Sequence, residues 1–326
     1  MKEEGKDPII LDAGDFFFST TNLNQNNLKS EEYRAGAILE GYDKIGCDAI
    51  NIGKYELLNG LSFLKEMSTK TEIPFLSANL RDSKTKELLF QPYKIINRGE
   101  LSFGVIGITN LLPDSSTKIV ADDYIQSGNK YIKELSEKTD IIIMLINTDR
   151  ASQKDLAENF DNADFIVTSG STNLTRTNAP QKDEGPYMFS CGKQGKYLLT
   201  LDANVKDLKH SFVNISNHEK KINNVQKRFE RLQKKDPNKT LEDIYKDQAN
   251  VLKLIDQYRV DIKTSEDAIH KAKNTIVYQT IGLNKKITDD PEILSFVNKS
   301  LSTCKSLKPK VKDLKKTKID HSGHNH

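Results

Sequence analysis

The side chains that could do chemistry fall into two groups at opposite ends of the sequence. Ile10-Leu11-Asp12-Ala13-Gly14-Asp15-Phe16-Phe17 sets a carboxylate just after a short apolar run and beside a glycine. A carboxylate at a strand end, next to a residue that permits close backbone approach, can ligate a metal at the edge of a parallel sheet. In isolation the same pattern also describes an ordinary turn. Gly53-Lys54-Tyr55-Glu56 adds an ammonium, a phenol and a second carboxylate, Asn147 and Asp149 follow an apolar run, and Thr168-Ser169-Gly170-Ser171-Thr172 follows another. All six histidines (His210, His218, His270, His321, His324, His326) lie after residue 209. His321, His324 and His326 could meet loosely around one transition-metal ion, with a solvated tail as the plainer reading.

These groups need elements to position them. Ile9 to Leu11, Ala49 to Ile52, Phe75 to Ala78, Phe103 to Ile108, Ile141 to Ile146 and Phe165 to Val167 are short apolar runs rich in β-branched residues. Several are unbroken, as a strand buried on both faces requires. Helical spacing between them, as over Glu31 to Ile45 and Asn129 to Lys138, gives the order of an α/β sheet covered by helices. Two runs around Gly192-Lys193-Gln194-Gly195 read as a closing hairpin. The α/β part is expected over 1–209. Beyond it, apolar positions thin out and recur at helical spacing: Val225, Phe229 and Leu232 mark one helix, and Leu241 to Ile262 a second that opens at Thr240. A helical hairpin with coiled-coil character is therefore expected over 210–274. A strand and a short helix opened by Asp290-Pro291-Glu292 should pack back on the core over 275–304, and a Lys- and His-rich tail over 305–326 reads as disordered.

With 326 residues and 36% hydrophobic content the chain can bury a substantial core. The 49 basic and 46 acidic residues nearly cancel, to +3, which gives no bulk charge for nucleic acid. No apolar run reaches transmembrane length, and the charged Met1-Lys2-Glu3-Glu4 is not a signal peptide. Cys47, Cys191 and Cys304 are too scattered for a thiolate metal cluster, and Cys47 and Cys191 read as buried structural thiols.

Six stretches occur in one order with fitting gaps: Ile10 to Phe17, Gly46 to Leu57, Pro74 to Leu80, Val105 to Thr109, Asp140 to Leu145 and Asp164 to Val167. Together they resemble the calcineurin-like metallophosphoesterase domain of the bacterial 5′-nucleotidase and UDP-sugar hydrolase family, over residues 3–205. The resemblance implies a four-layer metallophosphoesterase-type α/β sandwich. It also implies phosphate-ester hydrolysis by water activated on two metal ions. Carried over by position, Asp15 is the family's metal-bridging carboxylate. Elsewhere the ligands are replaced: Lys54 and Tyr55 stand for a metal-binding Asn and a catalytic His, Asn147 for a His, and Gly170 and Thr172 for two more. The family's first-strand Asp-x-His has no counterpart, so Met1 is expected to be internal to a longer protein.

A degenerate, non-catalytic binding or interaction protein is the expectation, with no cofactor and with the hairpin facing an unknown protein partner. Lys54 could then hold a phosphate-containing small ligand, or the replaced residues could simply line a cleft. The alternative is a metal-dependent phosphohydrolase acting on nucleotide or sugar-phosphate esters, with Asp15, Glu56 and Asp149 holding manganese or zinc. An extracytoplasmic location follows from the resemblance alone.

Overall fold

The computed structural model describes residues 5–309 apart from 115, 171–172, 177–178, 180 and 182–184. Of the segment expected to be disordered, 305–326, Lys305 and Ser306 instead end a helix that begins at Pro291, and residues 310–326 lie outside the described residues. The chain opens with β1 (Leu11–Asp12), α1 (Leu28–Ile45), β2 (Ala49–Asn51), α2 (Gly60–Ser68) and β3 (Phe75–Leu76), whose strands form a parallel sheet in the order β1-β2-β3. Helix α1 stops where Gly46 turns left-handed (φ 76°) and its N–H caps the carbonyls of Tyr42 and Asp43.

The strands β4 (Leu80–Asp82) and β7 (Ile119–Ala121) pair as a small antiparallel flap. Between and after them come β5 (Tyr93–Arg98), β6 (Leu101–Thr109), α3 (Tyr124–Leu135), β8 (Ile141–Asn147), α4 (Leu156–Asn159), β9 (Phe165–Ser169) and β10 (Tyr187–Phe189). Their sheet runs β10-β9-β8-β6-β5, parallel except for the edge strand β5.

Alternation along the strands builds the layers. Ile50, Ile52 and Phe75 pack with Ala35 and Leu39 of α1 and with Leu61, Leu64 and Met67 of α2. On the other face Ala49 and Leu76 meet Val105 and Leu145 of the five-stranded sheet. That sheet turns Ile106, Ile142, Met144 and Ile166 toward Ile132 and Leu135 of α3 and Leu156 of α4. The result is a four-layer α/β sandwich, helix over sheet over sheet over helix.

A third sheet, β11 (Tyr197–Asn204), β13 (Asn274–Gly282) and β12 (Phe212–Asn214), is ordered β11-β13-β12 and packs Ile276 and Tyr278 against Phe165, Tyr187 and Phe189. The hairpin expected around Gly192 does not form. Tyr187–Phe189 joins β9, where Tyr187 and Phe189 are buried, and all eight residues of β11 pair with β13 instead. Long-range pairing of the longer strand outweighs the local turn.

Between β12 and β13 the chain leaves the sheets as α5 (Ser216–Gln233), α6 (Leu241–Tyr245) and α7 (Ala249–Lys271). Helices α5 and α7 run antiparallel: Phe229 meets the Tyr258 ring edge-on at 5.9 Å, Arg228 donates to the Tyr258 hydroxyl at 2.7 Å, and Lys221 pairs with Asp261 at 3.0 Å. The second helix is not continuous from Leu241. Thr240 caps α6 at the Asp243 N–H, then buried Tyr245 reaches back to donate to the Leu232 carbonyl, and the chain restarts as α7. Helix α8 (Pro291–Ser306), capped by the Asp290 carboxylate, returns to lie on α1, where Ser30 Oγ donates to the Cys304 carbonyl at 2.9 Å.

Candidate functional site

Parallel strands end at one edge of the sandwich, and there the topology gathers Asp15, Lys54, Tyr55, Glu56 and Asn147. After β1 the chain turns through Gly14 (φ 98°) and Asp15 (φ 72°). A Cβ on Gly14 would meet the Gly53 nitrogen at 2.7 Å and the Asn51 carbonyl at 2.8 Å. One on Gly53 would meet Asp15 Oδ1 at 2.7 Å and Asn147 Nδ2 at 2.9 Å. Two glycines thus let the loops after β1 and β2 touch.

Glu56 is fully buried and holds that contact together. Its Oε2 accepts from the N–H groups of Asp15 and Gly53, both at 2.8 Å. Its Oε1 accepts from Phe16 at 2.8 Å and Phe17 at 3.1 Å. A carboxylate has about four lone-pair sites, and four amides fill them. Glu56, a candidate metal ligand on sequence grounds, is therefore a clamp for the loops. Burial, then the neighbouring Asp15, push its carboxyl up to about 7 against the pull of the amides.

Asp15 Oδ1 accepts from the Tyr55 N–H at 2.9 Å. Burial raises its pKa, while the Tyr55 amide, the Asn147 side chain and the Lys54 ammonium oppose the rise. Asn147 ends β8 with no exposure, its Oδ1 accepting from the Lys54 N–H at 3.0 Å and its Nδ2 donating to Ser169 Oγ at 2.8 Å. Ser169 Oγ in turn donates to the Ala13 carbonyl at 2.6 Å. The Tyr55 phenol is raised by burial and then by Asp15.

Gly170 has a φ of 79°, and a Cβ there would approach the Thr148 carbonyl oxygen to 2.5 Å. The backbone that carries glycine at this position has no room for an imidazole. Asp149 accepts from the Ala151 and Ser152 N–H groups and from Ser152 Oγ, and these Ser152 bonds hold its pKa below the usual carboxylate value. It shapes a turn rather than joining the cluster. Thr172, His321, His324 and His326 lie outside the described residues.

Three partners of the cluster were not singled out as site residues from sequence. Asn51 interrupts an apolar strand, donates to the carbonyls of Ala13 and Ile108, and has no partner for its own buried Oδ1 among the described residues. A polar residue inside the run Ala49 to Ile52 was the available signal. Asp12, raised by burial, takes the Tyr42 hydroxyl at 2.5 Å and the Gly14 N–H at 2.7 Å. Ser169 is the third. Asn79 donates to the Thr109 and Asp122 carbonyls and accepts from the Thr109 N–H, which ties the loops together. Cys47 is buried, and burial pushes its thiol up to about 12.

These residues do not fit a pair of divalent cations. Such ions need four to six donor atoms each, and here the Glu56 oxygens and the Asn147 amide are held by the chain's own groups. Among the described residues no three His, Cys, Asp or Glu side chains converge in a metal-holding arrangement.

No family model matches the chain. It is 30% identical to Protein UshA of Salmonella pullorum over 154 residues, 44% of this chain and 26% of that protein. The 5′-nucleotidase of Vibrio cholerae serotype O1 matches to the same extent, at 30%. Among solved structures, calcineurin-like phosphoesterase YfkN from Bacillus subtilis superposes with a TM-score of 0.59 at 16% identity, over 92% of this chain and 85% of that one. In sequence and fold the chain is similar to 5′-nucleotidases and calcineurin-like phosphoesterases. It spans about a quarter of the length of the curated relatives it matches. Within this fold, its strand-end cluster is closed by bonds between side chains and backbone. No described helix is long and apolar enough to cross a membrane.

Proposed function

We propose that this chain is a non-catalytic binding or interaction protein. One observation carries the reading: at positions that resemble the family's ligands, Asp15 Oδ1 accepts from the Tyr55 N–H and Asn147 Oδ1 from the Lys54 N–H, and the neighbouring Glu56 accepts from four amides. A carboxylate that organises two loops is not free to organise cations. In this reading Lys54, beside Asp15 at the open edge, holds a phosphate-containing small ligand without cleaving it. The hairpin of residues 210–274 offers the surface for a protein partner. An extracytoplasmic location belongs to the same proposal and rests on the resemblance.

The test is titration of the full chain with manganese and zinc, alongside turnover assays on 5′-nucleotides and UDP-sugars, in a variant with His321, His324 and His326 changed to alanine. Expected is no stoichiometric binding and no turnover. Tight metal binding with turnover, both lost in Asp15→Ala, would overturn the proposal in favour of a metal-dependent phosphohydrolase. That second reading is supported by kinship with 5′-nucleotidases and by Asp15.

A further inference from the structure

Helix α8 uses one side to lie on α1, with Cys304 at Ser30 and the Phe296 ring under the Lys44 ammonium at 5.3 Å. A second stripe faces away. Leu294, Val297 and Leu301 are 40%, 40% and 55% exposed. At 3.6 residues per turn they share one side of the helix. The same side of the helix carries Asp290 at its start, four residues before Leu294, and Lys308 beyond its end, seven residues after Leu301, while Cys304 at the stripe's border turns to Ser30 of α1. The stripe is also polarised, with a carboxylate at its start, aliphatic side chains in the middle and an ammonium at its end.

We propose that this face joins two copies of the chain with their α8 helices antiparallel. About a two-fold axis, Asp290 of each copy then lies opposite Lys308 of the other, and Val297 opposite Leu301. A stripe that is complementary to itself in reverse is what an isologous interface requires. Charge selects the orientation: parallel pairing would set Asp290 against Asp290 and Lys308 against Lys308, and would align the helix dipoles unfavourably. A single helix pair about 24 Å long covers less than the ~1,200 Å² of a standard stable interface. The dimer is therefore weak, with a dissociation constant on the order of 10–100 µM.

Sedimentation equilibrium of the full chain between 5 and 300 µM, concentrations that bracket the ~10–100 µM estimate, should show concentration-dependent dimerisation. Val297→Glu should raise the dissociation constant at least ~10-fold with unchanged far-UV dichroism. Lys308→Glu, at an exposed position beyond the helix end, should raise it ~3-fold without touching packing. Orientation is read by oxidising a mixture of Val297→Cys and Leu301→Cys chains of different mass. The mixed disulfide should dominate over either symmetric one. A monomer throughout the concentration range, or dimerisation indifferent to Val297→Glu, would overturn the proposal, and dominance of the symmetric disulfides would overturn the antiparallel arrangement.

Discussion

Gly170 occupies a position where the family resemblance places an imidazole, and the structure predicts what any side chain there would cost. Its φ of 79° is left-handed, and an added Cβ would lie 2.5 Å from the Thr148 carbonyl oxygen and 3.0 Å from Leu111 Cδ1. The left-handed conformation costs a non-glycine residue about 1–2 kcal/mol. Relieving the overlap means moving the backbone of Thr148, whose N–H is bonded to the Ser169 carbonyl at 3.2 Å. Overpacking of that kind adds about 1–3 kcal/mol. Gly170→Ala should therefore lose about 2–5 kcal/mol in urea unfolding at constant m-value. Gly195 supplies the control, with a φ of 60° and nothing within 4 Å of its added Cβ. Gly195→Ala should lose only the conformational part, about 1–2 kcal/mol. Gly170→His should be at least as destabilised as Gly170→Ala and should gain no zinc affinity in the variant without tail histidines. Equal losses at Gly170 and Gly195, or a stable Gly170→His chain that acquires a zinc site, would refute the reasoning.

Other outcomes follow from the same cluster. Glu56→Ala orphans four amides at about 1–3 kcal/mol each before water enters, so chemical denaturation should show a loss above ~4 kcal/mol; a loss below ~1 kcal/mol would show that the clamp is dispensable. With its carboxyl at about 7 in the fold against an ordinary 4.5, Glu56 contributes stability that is complete below pH 4.5 and disappears as the pH rises through about 7. The urea midpoint should accordingly be lower at pH 8 than at pH 5.5, as comparison of unfolding curves at those two values can decide. Asn79→Ala removes three bonds from a fully buried site and should cost about 3–5 kcal/mol. Amide exchange should then accelerate at Thr109 first, and unchanged exchange there would contradict the assignment.

The order of elements in the α/β part was legible because buried parallel strands must be apolar on both faces, and Ile141 to Ile146 or Phe165 to Val167 can satisfy no other environment so well. Local chemistry was equally readable where it acts within one turn, as at Thr240 and Asp290, whose side chains cap the helices that follow. The sequence also carried the resemblance to 5′-nucleotidases, and it showed that the first 209 residues contain no histidine. It could not say what the replacements do. Glu56 read as a ligand because nothing local shows that the Asp15, Phe16 and Phe17 amides, some forty residues away in sequence, point at it. Whether Tyr197–Asn204 would pair with its neighbour or with Asn274–Gly282 was likewise undetermined, since strand pairing is a contest between distant segments. Composition and periodicity determine which residues must be buried and which turns are possible. Only the tertiary structure decides which polar atoms face one another, because hydrogen bonds between loops depend on strand ends that the chain brings together from far apart.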